Sequence, residues 1–416
     1  MIEVVLERCA GIDVGKRYVV ACLLTGSSTE SPRVEKRQYE ATVGELEHLR
    51  QWLVEERCTH VVVESTGSYW KPVFNVLEAS VTVVLANPVH VRNLRGHKTD
   101  RKDSEWLAHL LRHGLIRPSF IPPPAIRELR SLTRQRRDLI AAGARERNRV
   151  QKLLEEGNVK LGNVLSDVFG VSGQRMLEAL LEGKATAAEI AALAQRKARQ
   201  KIPQLQAALE GHRLTPTLRF LIAQDLRHME FLELEIAALD DQIAEKLKPY
   251  SRQMELLESL PGVDRVTAAA VLAEIGVDMS RFPTAAHLAS WAGLCPGNRE
   301  SAGVQKSGHI RKGNTTLRAT LNQCAWAAAH TTGTQLKARY EHLLPKRGKR
   351  RAIVAISHHM LLLIHFMLTE NVHYSDPGWK PKLTRRYLTR RAYYHIRCLR
   401  RLAARLPSTD NLQNTA

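Results

Sequence analysis

The chain has 416 residues, 44% of them hydrophobic, enough to bury more than one core, and its 62 Lys and Arg against 42 Asp and Glu leave a formal charge of +20. A surplus of that size points to a polyanion partner, nucleic acid first. The six cysteines, Cys9, Cys22, Cys58, Cys295, Cys324 and Cys398, form no CxxC pair, which speaks against a zinc module or a disulfide framework and fits a reducing cytosol. The first eight residues carry acids where a secretory leader would be basic, and the most apolar late run, 360–368, is too short to span a bilayer, so no membrane role is expected.

Cys9-Ala10-Gly11-Ile12-Asp13-Val14 reads as a strand, Gly15-Lys16 as a turn, and residues 18–24 as the returning strand of a hairpin. A third β-rich run at 34–41 completes a meander, after which Leu46, Leu49, Trp52 and Leu53 repeat at helical spacing. Val61-Val62-Val63-Glu64 is the next strand, followed by a helix over 70–77 and a strand over 81–85. The stretch Lys98-Thr99-Asp100-Arg101-Lys102-Asp103 then opens an apolar-periodic helix with Asp100 and Asp103 on one face. Thr99 suits the cap of that helix and acids suit its positive end, so capping alone would account for the pair. Their company suggests more: Asp13 and Glu64 also end apolar runs, and four carboxylates from three elements are what a two-cation site needs. This order of elements resembles the ribonuclease H fold, in which the first strand, the fourth strand and the last helix bring their acids to one edge. A strand ending in Asp-x-Gly also opens actin-like and sugar-kinase ATPases, but a second phosphate loop and an adenosine motif are not found at suitable spacing.

Residues 126–154 are strongly basic, with Arg130, Arg134 and Arg137 among the cations spaced along a helical pattern. Such a helix offers phosphate contacts along its length, although Glu128, Asp138 and Glu146 interrupt the field, and a solvated charged face would look alike. Residues 157–200 carry little signal. Ile222, Met229, Ile236 and Ile243 recur every seven residues, with Leu232 and Leu239 between them, the pattern of a helical hairpin or coiled coil. Leu260-Pro261-Gly262-Val263-Asp264 reads either as a helix-hairpin-helix turn that approaches phosphate or as a plain packing corner. The Gly-rich, basic segment 297–314 has the composition of a loop that folds its backbone against a phosphodiester. Beyond it lie an apolar helix over 353–368 and a tail in which residues 380–405 hold ten basic residues and no acid, interleaved with Tyr387, Tyr393 and Tyr394.

Gly-Ile-Asp at 11–13, Val-Glu-Ser-Thr-Gly at 63–67, Lys-Thr-Asp-Arg-Lys-Asp at 98–103, Leu-Pro-Gly at 260–262, Ala-Gly-Leu-Cys-Pro at 292–296 and Glu-Ser-Ala-Gly at 300–303 form a series. In order and separation it resembles the DEDD transposases of bacterial insertion sequences, the family that includes the Piv invertases and the bridge-RNA-guided recombinases. The resemblance implies a fold of α/β plus α class: a ribonuclease H-like, RuvC-like catalytic domain at 1–120 and a basic helical, coiled-coil linker region at 121–250. A mostly helical C-terminal transposase domain follows at 251–375, and a basic tail at 376–416. It implies Asp13, Glu64, Asp100 and Asp103 as a catalytic tetrad holding Mg²⁺, a two-ion site, and Ser301 as a covalent nucleophile, with Ser307 a minor rival because Ala302 stands where the family has Gly. Arg299, Lys306, Arg311 and Lys312 would hold phosphate beside that serine. The activity implied is cutting and rejoining of donor and target DNA through a phosphoserine, guided by a structured RNA, by a homo-oligomer (dimer or tetramer) in the bacterial cytoplasm at the nucleoid. The competing activity is a RuvC-like, junction-resolving or structure-selective nuclease that uses water as nucleophile.

Overall fold

The computed structural model describes residues 4–65, 67–87, 91, 103–296, 299–301, 304–307, 310, 312–376 and a few positions between 389 and 400, with 299–301 and 304–307 described by their backbone. Two compact units emerge, Met1–Ile121 and Pro122–Ala416.

In the first unit, β1 (Arg8–Val14), β2 (Tyr18–Thr25) and β3 (Arg33–Glu40) form the expected meander, followed by α1 (Val43–Glu55), β4 (His60–Glu64), α2 (Trp70–Leu77), β5 (Thr82–Ala86) and α3 (Asp103–Arg112). The five strands are ordered β3-β2-β1-β4-β5, with β1 antiparallel to β2 and parallel to β4, so the most apolar strands are central. β3 is an edge strand whose Arg33, Glu35, Lys36 and Arg37 blunt further pairing. Alternation sorts the strand residues onto two faces. Ala10, Ile12, Val61 and Val63 pack with Leu46, Leu49, Trp52 and Leu53 of α1 and Val73 and Leu77 of α2. Cys9, Cys22, Leu24 and Val62 pack on the other face with Leu107, Ala108, Leu110 and Leu111 of α3.

The second unit begins with α4 (Pro124–Glu156), a 33-residue helix, and continues through the short helices α5 (Val171–Glu182), α6 (Ala187–Ala192) and α7 (Ile202–Leu209) to the 32-residue α8 (Pro216–Leu247). The heptad seam of α8 packs on α4 of the same chain. Ion pairs Arg136–Asp240, Arg147–Glu233 and Arg149–Asp225 run in opposite order along the two helices, which are therefore antiparallel. Asp225 falls on the seam itself and is buried, where a paired charge fixes register better than another Leu would. Leu154, Met176, Leu177, Ile190, Leu205, Leu209, Leu218 and Ile222 close one end of this hairpin, so the Ala-rich region with little sequence signal is a cap of short helices.

Then come α9 (Ser251–Glu258), α10 (Arg265–Ile275), α11 (Ala285–Trp291), β6 (Arg299–Ser301), β7 (Val304–Ser307), α12 (Thr315–His330), α13 (Gln335–Arg347) and α14 (Lys349–Glu370). By length and composition α14 could cross a bilayer; here its stripe of Ile353, Ile356, Met360, Leu361, Ile364 and Met367 is buried, and the helix packs on α11, α12 and α13. The turn at Leu260–Asp264 is a packing corner. Gly262, at φ +85°, leaves no room for a side chain 2.6 Å from the Ala328 nitrogen of α12, and Asp264 caps α10 by accepting from the Thr267 N–H. The basic tail falls mostly outside the described residues.

Candidate active site

β1 and β4 run side by side in register from Cys9–His60 to Ile12–Val63, and one residue further along each strand stand Asp13 and Glu64. Parallel neighbours in a sheet are about 4.8 Å apart, so this register alone brings the two carboxylates to one row. Both are half-buried. Asp13 shares its face with Cys9 and Gly11, and Glu64 shares its face with Val62, the side of the sheet that α3 covers. Asp103 is the first residue of α3 and is half-buried. Asp100 lies outside the described residues.

What seats α3 over this edge is Gly11. A Cβ there would fall inside the Ser104 carbonyl oxygen and 2.5 Å from the Ala108 nitrogen, so helix and strand touch main chain to main chain. Ser104 is fully buried at that contact and its hydroxyl has no hydrogen-bond partner among the described residues. The far end of α3 is held by Arg112, 1% exposed, whose guanidinium donates to the carbonyls of Glu7 (3.1 Å), Gly26 (3.1 Å) and Ser27 (2.9 Å). Neither role is evident in the sequence: the only signal is a glycine inside a strand, which marks a close backbone approach.

Among the described residues no three His, Cys, Asp or Glu side chains stand close enough together to hold a metal ion. The donor chemistry of the edge nevertheless suits a hard divalent cation, because Asp13, Glu64 and Asp103 offer carboxylate oxygens only. The thiols on the same face do not compete: burial pushes Cys9 and Cys22 up to about 11, with the charges of Arg112 and Lys36 respectively opposing, and both stay protonated.

In the second unit, the Gly-rich segment expected as a loop is a β-hairpin. Ser301 ends β6 and pairs with Val304 of β7, and Arg299 pairs with Ser307 across a bulge. Its strand residues are nearly all polar or charged, which hides so short a hairpin from a reading based on apolar alternation. Arg299 and Lys306 lie on the two strands, Lys312 is exposed, and Arg311 lies outside the described residues.

The arginines of α4 singled out as phosphate contacts have partners within the chain. Arg130 is mostly buried and donates to the Ala273 carbonyl (3.0 Å) and the Glu274 carbonyl (2.6 Å), and Arg134 makes a two-pronged pair with the Glu274 carboxylate (2.7 and 2.8 Å). Both guanidinium groups are engaged by Glu274 and its neighbours, Arg130 mostly buried and Arg134 still half-exposed. Arg137 stays half-exposed, bonded to Asp138 and to the Thr316 hydroxyl (2.5 Å). Spacing along a helix cannot tell a cation that faces phosphate from one that meets a carboxylate 140 residues downstream.

Comparison with known proteins bears on both units. A family model described as Transposase, DEDD_Tnp_IS110, matches residues 10–158, and one described as Transposase IS116/IS110/IS902 family matches residues 254–341. An insertion element IS900 uncharacterized 42 kDa protein of Mycobacterium paratuberculosis is 30% identical over 67% of this chain and 73% of its own length. An insertion element IS110 uncharacterized 43.6 kDa protein of Streptomyces coelicolor is 27% identical over 67% and 72%. Among solved structures, Thermus thermophilus RuvC, alone and in complex with a Holliday junction substrate, is similar at 14% identity and a TM-score of 0.22, over 27% of this chain and 99% and 100% of those chains. The chain belongs to the IS116/IS110/IS902 family of insertion-sequence transposases.

Proposed function

We propose that the chain cuts and rejoins DNA strands through a phosphoserine linkage on Ser301, with Asp13, Glu64, Asp100 and Asp103 as holders of Mg²⁺. The observation that carries this is the register of β1 and β4, which aligns Asp13 with Glu64 on the face that α3 covers, in a chain of a transposase family. Bound Mg²⁺ would supply charge neutralisation at the phosphodiester and lower the barrier to in-line displacement. The strand register fixes the backbone from which the Asp13 and Glu64 carboxylates would reach the metal. Ser301 Oγ attacks phosphorus and forms a P–Oγ bond as the P–O bond to the departing nucleoside oxygen breaks; the serine proton is lost and the departing oxygen gains one. A second strand's hydroxyl later attacks the same phosphorus and returns the serine hydroxyl. One phosphodiester is exchanged for another, so no ATP is needed.

The net charge of +20 supports a DNA substrate and fits a structured guide RNA equally well. A homo-oligomer is part of the proposal because recombination handles more than one duplex end. The heptad seam of α8 lends it no support, being occupied by α4 of the same chain.

The test is to incubate the protein with cleavable DNA and Mg²⁺, denature, and map any covalent adduct. The expected result is phosphate on Ser301, lost in Ser301→Ala, lost with chelator, and reduced on the order of 10⁴-fold in Asp13→Ala and Glu64→Ala while both variants melt like the parent. Nicked product without adduct would assign the attack to water. An adduct on Ser307 or Tyr340 would refute the serine assignment.

A further inference from the structure

Glu274, near the end of α10, is 1% exposed, yet four donors converge on its carboxylate and main chain. Arg134 holds the carboxylate from two nitrogens, Arg130 adds its charge at 3.5 Å, and Asn314 Nδ2 donates to Oε2 at 2.5 Å. Burial alone would push this carboxyl up, but Arg134, Arg130 and Asn314 outweigh it and hold it below the usual carboxylate range. The group is therefore charged at neutral pH. A packed apolar cluster of similar volume would serve stability as well as a buried ion network. What the ions add is direction.

Asn314 gives that direction a purpose, since both ends of its amide are used. Its Oδ1 accepts from the Leu317 N–H at 3.0 Å and caps α12, while its Nδ2 is held by Glu274. Asn314 is also where the Ser301 hairpin rejoins the helical body. The stem of that hairpin closes at the Pro296–Ile310 bridge, and Gly313 lies so close to Ala292 and Gly293 that a Cβ would stand 2.4 Å from the Gly293 nitrogen and 2.6 Å from the Ala292 carbonyl carbon. The exit of the hairpin is thus fixed against α11 by contact, against α12 by a cap, and against α10 and α4 by charge.

We infer that Glu274, acting through Asn314, is a positioning residue that sets where the Ser301 hairpin stands on the α4–α10–α12 framework; this rests on the reading of Ser301 as the nucleophile. Displacing a reacting atom by about 1 Å costs on the order of a hundredfold in rate even when nothing that touches substrate has changed. The effect belongs in the rate constant and not in DNA affinity.

Asn314→Ser tests this, because serine caps a helix as well as asparagine does but is too short to carry the bond to Glu274. Asn314→Thr is the second variant: a capping residue of the same kind that is again too short to reach Glu274. Both are compared with the parent and Ser301→Ala for melting temperature, DNA affinity and single-turnover adduct formation at saturating DNA. The expected result is a ten- to hundredfold slower adduct with melting temperature and affinity unchanged. Adduct formation at the parent rate in either variant removes the inference and leaves the Ser301 reading standing. A slower rate that merely follows a lowered melting temperature, or a defect confined to DNA affinity, also overturns it. Nicking without adduct in the parent removes the Ser301 reading and this inference together.

Discussion

In the N-terminal unit, Asp13 and Glu64 are aligned by the hydrogen-bonded register of two strands, and α3 is seated by main-chain contact at Gly11. In the C-terminal unit, the hairpin that carries Ser301 is tied at its exit by side-chain charge, through Glu274, Arg130, Arg134 and Asn314. Backbone register tolerates almost any side chain but no change of volume at the contact. An ion network tolerates changes of volume at its rim but not the loss of one charge. The two units should therefore fail in different ways when a single atom group is altered.

The largest effect on stability is expected at Glu274. Glu274→Leu removes the carboxylate and leaves Arg130 buried without a counter-charge, which costs about 3–5 kcal/mol. Urea unfolding followed by probes in each unit should show the second unit losing stability while the first is unchanged; an unchanged midpoint for the second unit would mean water reaches Arg130 freely. A smaller loss is expected for Gly11→Ala, about 1–3 kcal/mol from overpacking. Here α3 has to lift off β1, and the first unit should be the one that weakens. Hydrogen exchange in residues 103–112 is the direct measurement, and protection equal to the parent would contradict main-chain seating.

The smallest effect is a pH dependence confined to the second unit. Burial, followed by the charges of Arg339 and His358, holds His359 down at about 4 against an ordinary 6.5, so the unfolded chain takes up its proton first. Stability from this group is complete above pH 6.5 and falls as pH drops toward 4, with a slope of at most about 1.4 kcal/mol per pH unit. His359→Gln should flatten the decline of melting temperature between pH 6.5 and 5, and an identical decline in the variant would assign it to other groups.

Much of the first unit is legible in the amino-acid sequence because its signals are local. Apolar and β-branched runs mark four of the five strands, the charged edge strand β3 being the exception, and the acids at the ends of β1 and β4 stand out as polar residues closing apolar runs. The C-terminal unit is less legible because what organises it is remote in sequence. Glu274 reads as one acid in an Ala-rich helix, and its partners Arg130 and Arg134 read as members of a phosphate-binding stripe. The heptads of α8 are plain, but nothing in them tells that their partner is α4. Asn314 reads only as a turn residue, since an amide that serves a cap and an anchor at once has no pattern of its own.

Arg112 carries a consequence for how the acidic edge comes into being. Its guanidinium is satisfied by carbonyls from both the start of β1 and the loop after β2, and its own carbonyl accepts from the Val5 and Leu6 N–H groups. Those acceptors adjoin one another only once the β1–β2 hairpin has formed, and an arginine buried without them would be strongly unfavourable. The native seat of α3 therefore depends on a hairpin whose carbonyls lie more than eighty residues earlier in the chain. During synthesis, Asp13 and Glu64 leave the ribosome well before Asp103, and a truncated chain ending short of Arg112 carries the two strand acids without the helix that covers their face.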